Sequence, residues 1–221
     1  MRVLLLGFFW PALAATLPRH ADPIKCPIIF DGRVAKNLTL STFDTTLSPY
    51  SPRYVKGENL TWSSILQFPP IKPSPLDDPI VHKSLEVTIN DASLFRSGSG
   101  LQTGFRRAGL LLANDTNAAG SDAADKGVVT FHWSVQQDRA KALNWSHEYM
   151  NVWHERADYS GNQFTFVGGV VLKQDGGDGV DSPEERGSWK LQDSKNKVVF
   201  RTPIVSTSWQ NFAVQLDYVE K

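Results

Sequence analysis

From about residue 85 onward, short runs of Val, Ile, Leu, Phe, Thr and Trp recur between breaks of Gly, Pro, Asp and Asn. The runs are short and rich in β-branched and aromatic residues, and several alternate between apolar and polar positions, the period of a strand with one buried face. They predict strands over Leu85–Ile89, Gly104–Leu112, Gly127–Val135, Trp145–His154, Gln163–Leu172, Lys197–Arg201 and Trp209–Tyr218. No longer window sustains a helical period. The best short helical candidate is Thr61–Leu66, one or two turns with Thr61 as N-cap. Loops separate the strands, among them Phe68–Pro79 with its five prolines and Gln174–Gly187, rich in Gly, Asp and Glu. Strands without helices point to an all-β fold, an antiparallel β-sandwich of jelly-roll type in a single domain.

Alternate residues of a strand point to opposite sides of its sheet. Over residues 144–154 the odd positions carry Trp145, His147, Tyr149, Asn151 and Trp153, the better candidates for the core face. The even positions carry Asn144, Ser146, Glu148, Met150, Val152 and His154. A carboxylate in mid-strand is costly to bury unpaired. This parity therefore places Glu148 on an open, concave face suited to a long polymer, with His154 on the same side as a reactive or sugar-binding partner. Duller readings stand beside these. On sequence alone a mid-strand glutamate such as Glu148 is more often a solvated surface residue, a histidine such as His154 a local hydrogen-bonding group, and strand tryptophans such as Trp133, Trp145 and Trp153 core residues rather than sugar platforms. Arg106-Arg107 reads either as a substrate clamp or as an edge charge pair.

The first residues change the picture of where the chain works. Met1-Arg2 is followed by an apolar stretch from Val3 to Leu13 and then by small residues ending in Ala14-Ala15. The stretch is too short to span a bilayer of ~30 Å and fits a cleaved secretory leader over residues 1–15. The expected product is a secreted, extracellular domain over residues 16–221 with no membrane anchor. Sequons at Asn37, Asn59, Asn114 and Asn144 agree with that route. Cys26, the single cysteine, is either a buried free thiol or one half of a bond to a partner outside this chain.

Composition serves mainly to exclude. Lys and Arg number 23 against 23 Asp and Glu, a balance that argues against nucleic acid as partner. One cysteine cannot build a multi-cysteine zinc site, and no phosphate loop, His-x-x-x-His pair or Gly-x-Ser-x-Gly turn is present, so neither metal nor cofactor is expected. The chain is expected to act as a monomer.

Several segments, taken in order, resemble glycoside hydrolase family 131, secreted fungal β-glucanases. They are Cys26–Val34, Tyr54–Trp62, Gln102–Ala108, Leu143–Tyr149, Trp153–Glu155 and Asp158–Phe164. The resemblance implies a jelly roll that hydrolyses β-1,3-, β-1,4- and β-1,6-linked glucans with inversion. Inversion needs two carboxyls about 6.5–9.5 Å apart, one giving a proton to the leaving oxygen and one activating water. By resemblance one of them is Glu148; Arg107, which by strand parity shares the face of position 109, is expected with His154 and Asn144 as groove residues that bind substrate. The other family glutamate falls at Gly109, in Phe105-Arg106-Arg107-Ala108-Gly109-Leu110. Glycine supplies no proton and no base, and hydrolysis is expected to be strongly impaired. The family domain also continues into further strands beyond the position of Lys221, so the domain is expected to be incomplete at its C-terminus. Three readings follow: an impaired β-glucanase, a β-glucan-binding pseudoenzyme, or a non-functional fragment.

Overall fold

The computed structural model describes residues 27–115, 123–172 and 182–219. The expected leader, Cys26 and much of the Gln174–Gly187 loop lie outside the described residues. The architecture is mostly β, with antiparallel sheets and few, short helices. Among the described residues the sheets do not join into a closed sandwich.

Two-residue strands organise the first half of the chain. They are β1 (Val34–Ala35), β2 (Leu66–Gln67), β3 (His82–Lys83), β4 (Glu86–Val87), β5 (Arg96–Ser97) and β6 (Gly100–Leu101). These pair antiparallel as β1–β3, β2–β4 and β5–β6. The predicted Leu85–Ile89 strand shrinks to β4, and the short helix appears as α1 (Trp62–Ile65) behind Thr61. Asp44 Oδ1 accepts from the N–H groups of Trp62 at 2.7 Å and Ser63 at 3.3 Å, satisfying the open start of α1. Val34, Phe43, Trp62, Ile65 and Leu66 form the buried cluster of this half, with Ala108 and Leu110 packed on its margin.

Gly104–Leu112 is not a strand, apart from a single bridge between Leu112 and Tyr50. The segment runs beside residues 49–55, bonding Ser51 N–H to Leu111 at 2.7 Å, Ala113 N–H to Pro49 at 2.9 Å and Gly109 N–H to Val55 at 2.8 Å. Pro49 and Pro52 have no N–H to return, so the ladder stays incomplete.

The long strands come later: β7 (Val128–Val135), β8 (Glu148–Glu155), β9 (Asn162–Gly169), β10 (Ser188–Gln192), β11 (Val198–Pro203) and β12 (Gln210–Asp217). Sequence periodicity located all of these except β10, which lies directly behind the glycine-rich loop and the four-residue helix α2 (Pro183–Arg186). The order β11–β10–β9–β8 makes a four-stranded sheet, and β12–β7 a separate ribbon. An aromatic seam joins the two. Trp133 of β7 stacks on Phe164 of β9 at 6.0 Å and on Phe212 of β12 at 5.8 Å, and Phe166 meets Phe212 at 4.5 Å. Trp189 of β10 stacks on Phe166 at 5.1 Å and donates its indole N–H to Gln210 at 2.9 Å. Burying each such ring contributes about 1.5–3 kcal/mol.

Candidate functional site

Strand β8 carries the candidate carboxylate, and a bulge in it rearranges the faces that simple parity predicts. Met150 pairs with Val167 and Val152 with Phe166, so Asn151 is the extra residue. Its side-chain amide donates to the Tyr149 carbonyl at 2.9 Å, holding the bulge locally. Beyond this point the alternation is inverted. Glu148, Met150 and Trp153 share one face through their partners Gly169, Val167 and Thr165. Tyr149, Val152 and His154 share the other through Gly168, Phe166 and Phe164.

His154 is therefore not on the side of Glu148, contrary to the parity expectation, and Trp153 takes that place. The His154 ring packs 4.7 Å from Phe131 in the aromatic seam. Its Nε2 lies 3.2 Å from Asp125 Oδ1 and 2.9 Å from the Tyr218 hydroxyl. That is the environment of a histidine satisfied between sheets.

Glu148 stands half-buried at the start of β8. Its Oε1 accepts the Leu172 N–H at 3.0 Å, which ties the carboxylate to the segment after β9. Behind its partner Gly169, the ammonium of buried Lys190 donates to the Gly169 carbonyl at 2.5 Å. Met150, on the same face, is 47% exposed, whereas its partner Val167 and Trp153's partner Thr165 are buried, so solvent reaches this side of the sheet at β8 but not at β9. Asn144 is exposed, and its Oδ1 is already engaged by the Ser146 N–H at 3.1 Å and hydroxyl at 2.8 Å. The candidate glycosylation residues Asn37, Asn59 and Asn114 are exposed.

Gly109 is buried, and the Tyr54 ring lies on it. A Cβ at this position would come within 3.0 Å of Tyr54 Cε1 and 3.5 Å of the Trp153 ring tip. The contact links position 109 to Trp153 rather than to Glu148. The partners of those two residues are four apart in β9, which sets Trp153 about 13 Å along the strand from Glu148.

The Tyr54 hydroxyl is the electrostatic centre of this second cluster. Burial pushes its pKa up, the negative charge of Glu155 adds to the rise, and the Arg107 guanidinium opposes it. Arg107 places its guanidinium 5.3 Å from the Phe95 ring centre, and its charge acts on the Tyr54 hydroxyl. Arg106 points elsewhere, pairing with Asp91 at 3.1 Å. Sequence reasoning missed Tyr54 and Glu155 as site residues. Glu155 closes the Trp153-His154-Glu155 segment, and in the fold its charge acts on the Tyr54 hydroxyl. Among the described residues no group of three or more His, Cys, Asp or Glu side chains could hold a metal, and no helix is long and apolar enough to cross a membrane.

A half-buried carboxylate, with an aromatic ring and a second carboxylate further along the same strand, is chemistry suited to a carbohydrate. Residues 28–221 match the sequence model of the glycoside hydrolase 131 catalytic N-terminal domain. The chain belongs to that family. Family 131 is a glycoside hydrolase family of the β-glucanase kind, and membership implies a polysaccharide as the substrate class. No curated protein matches the chain. Position 109, beside Tyr54 and Trp153, carries no side chain, and Glu148 and Glu155 lie at opposite ends of β8.

Proposed function

We propose that this chain is a secreted β-glucan-active protein with a jelly-roll domain over residues 16–221, in which Glu148 is the remaining catalytic carboxyl and hydrolysis is strongly impaired. The observation that carries the proposal is Gly109, buried under Tyr54 where a catalytic glutamate is expected by resemblance. A positioned acid or base contributes about 10²–10⁴-fold, and hydrolysis without one of the pair falls by that order. Glu155 does not replace it as partner to Glu148, because the two stand six pairing steps apart along β8, about 20 Å.

The same contact favours a second reading, β-glucan binding without hydrolysis, since the aromatic cluster is intact while the carboxyl is absent. Incubating the purified protein with β-1,3-, β-1,4- and β-1,6-glucans separates the two. Slow release of reducing sugar that disappears in Glu148→Gln supports the impaired enzyme. Retention on insoluble glucan with no sugar released supports the binder. Neither retention nor release would overturn both.

A further inference from the structure

Two of the sequons are built on the same local turn. In Asn37-Leu38-Thr39 and Asn59-Leu60-Thr61 the leucine N–H closes a four-residue turn, donating to the Ala35 carbonyl at 3.1 Å and to the Gly57 carbonyl at 2.9 Å. Each leucine packs on the buried cluster of the first half, and each threonine is the N-cap of the helical turn that follows, Leu40–Asp44 and α1. Both asparagines are left exposed, with side-chain amides that bond to no described residue. Their surroundings differ. Asn59 lines a cavity of about 260 Å³ whose apolar wall is Leu60, Leu94 and Leu101 and whose charged members are Glu58 and Arg96. Hydrogen bonds fix its walls. Glu58 N–H donates to the Leu94 carbonyl at 3.1 Å, the Glu58 carboxylate accepts the Arg96 N–H at 2.9 Å, and Arg96 stands opposite Leu101 across β5 and β6. A Cβ on Gly57 would collide with the Ala92 carbonyl, so the turn that carries Asn59 lies tight against this wall. Asn37 is not one of the lining residues.

We propose that Asn59 carries an N-linked glycan whose first N-acetylglucosamine is seated in this cavity, while a glycan on Asn37 stands clear of it. That sugar offers an apolar ring face and an acetyl methyl to the leucines, and hydroxyls to the carboxylate and guanidinium. The covalent tether holds it at an effective concentration on the order of millimolar, so a small, half-open cavity is enough. In the transfer, the Asn59 amide nitrogen bonds to the anomeric carbon of a lipid-linked oligosaccharide diphosphate. The anomeric C–O bond breaks, the diphosphate lipid leaves, and the amide gives up one proton. The seated sugar then covers the exposed part of Leu101, which is 40% open without it.

This inference rests on the proposed secretory route, and the test keeps the two apart. The full chain and its Leu101→Ser variant are expressed in a eukaryotic secretory host, and glycopeptide mass spectrometry reads occupancy. An endoglycosidase that cuts between the first and second sugars is then applied to native and to denatured protein. Expected are a glycan at Asn59 and native cleavage there about tenfold slower than at Asn37, the effect of a seat left empty about a tenth of the time. Denaturation should make the two sites equal, and Leu101→Ser should raise native cleavage at Asn59 to the Asn37 rate. If Asn37 is unoccupied, the ratio of native to denatured cleavage at Asn59 decides alone. A glycan at Asn59 cut equally fast in both states, or one still shielded in Leu101→Ser, would show that the cavity is not its seat, while the secretory route stands. A secreted protein with Asn59 unmodified would overturn the proposal in the same way. No protein in the medium and no sequon occupied would end the secretory route, and the seat with it.

Discussion

Gly169 holds its backbone at φ +79° directly against the carbonyl of His147, where a Cβ would collide with that oxygen. The approach lets Val170 N–H donate to the same carbonyl at 3.1 Å, and it places Gly169 opposite Glu148 in the sheet. Replacing it strains the backbone and pushes on the residue that precedes the carboxylate. Gly169→Ala is expected to cost about 2–4 kcal/mol. Chemical denaturation measures the loss, and wild-type stability would show that the turn relaxes without strain.

Phe166 has no exposed surface and touches Trp133, Trp189 and Phe212 at once, joining the four-stranded sheet to the β7–β12 ribbon. Phe166→Ala should remove about 3–5 kcal/mol, lowering the melting temperature by roughly 10 °C or more. Truncating exposed Phe105 should change it by less than about 0.5 kcal/mol. Comparable losses from the two would mean that the seam does not hold the sheets together.

Gly109→Glu is the direct attempt to restore the absent carboxyl, and the Tyr54 ring stands in its way at 3.0 Å. The single variant is expected to stay within about tenfold of wild-type hydrolysis, short of the 10²–10⁴-fold that a positioned carboxyl gives. Removing the ring as well, in Tyr54→Ala with Gly109→Glu, should raise hydrolysis above the single variant. A full gain from Gly109→Glu alone would show that Tyr54 swings aside readily.

Tyr50 is buried with its hydroxyl donating to the Gly32 carbonyl at 2.5 Å, and burial, helped by the charges of Asp31 and Asp77, raises its pKa to about 12. An unfolded tyrosine ionises near pH 10. The stabilising contribution is therefore complete below about pH 10 and is lost as the pH climbs towards 12. Tyr50→Phe should remove one late-titrating phenol from an absorbance titration and flatten the alkaline loss of stability over that interval. An unchanged titration curve would place another tyrosine in this role.

Much of the second half of the fold was legible because β7 and β12 alternate cleanly. Phe212, Val214 and Leu216 turn inward while Asn211, Ala213 and Gln215 face out, as two-residue periodicity requires. The first half was not legible in this way. Its strands are two residues long, and Gly104–Leu112 bonds to a proline-bearing loop that no local pattern announces. The site divides along the same line. Glu148 could be placed on an open face from sequence, but His154 could not, because the extra residue at Asn151 lies inside a run that looks regular. Tyr54 and Glu155 are about a hundred residues apart in sequence, and only the tertiary fold brings the charge of one to bear on the other.

The bulge at Asn151 has one more implication, for changes in chain length. Every side chain after it faces the way it does because one residue is surplus to the pairing. Deleting Asn151 would remove the surplus and leave Trp153 and His154 on their present sides. Keeping all the residues but straightening the strand would exchange them, turning an imidazole to the open face and an indole into the seam. At this point in the chain, a deletion is the conservative change and an unaltered length is not.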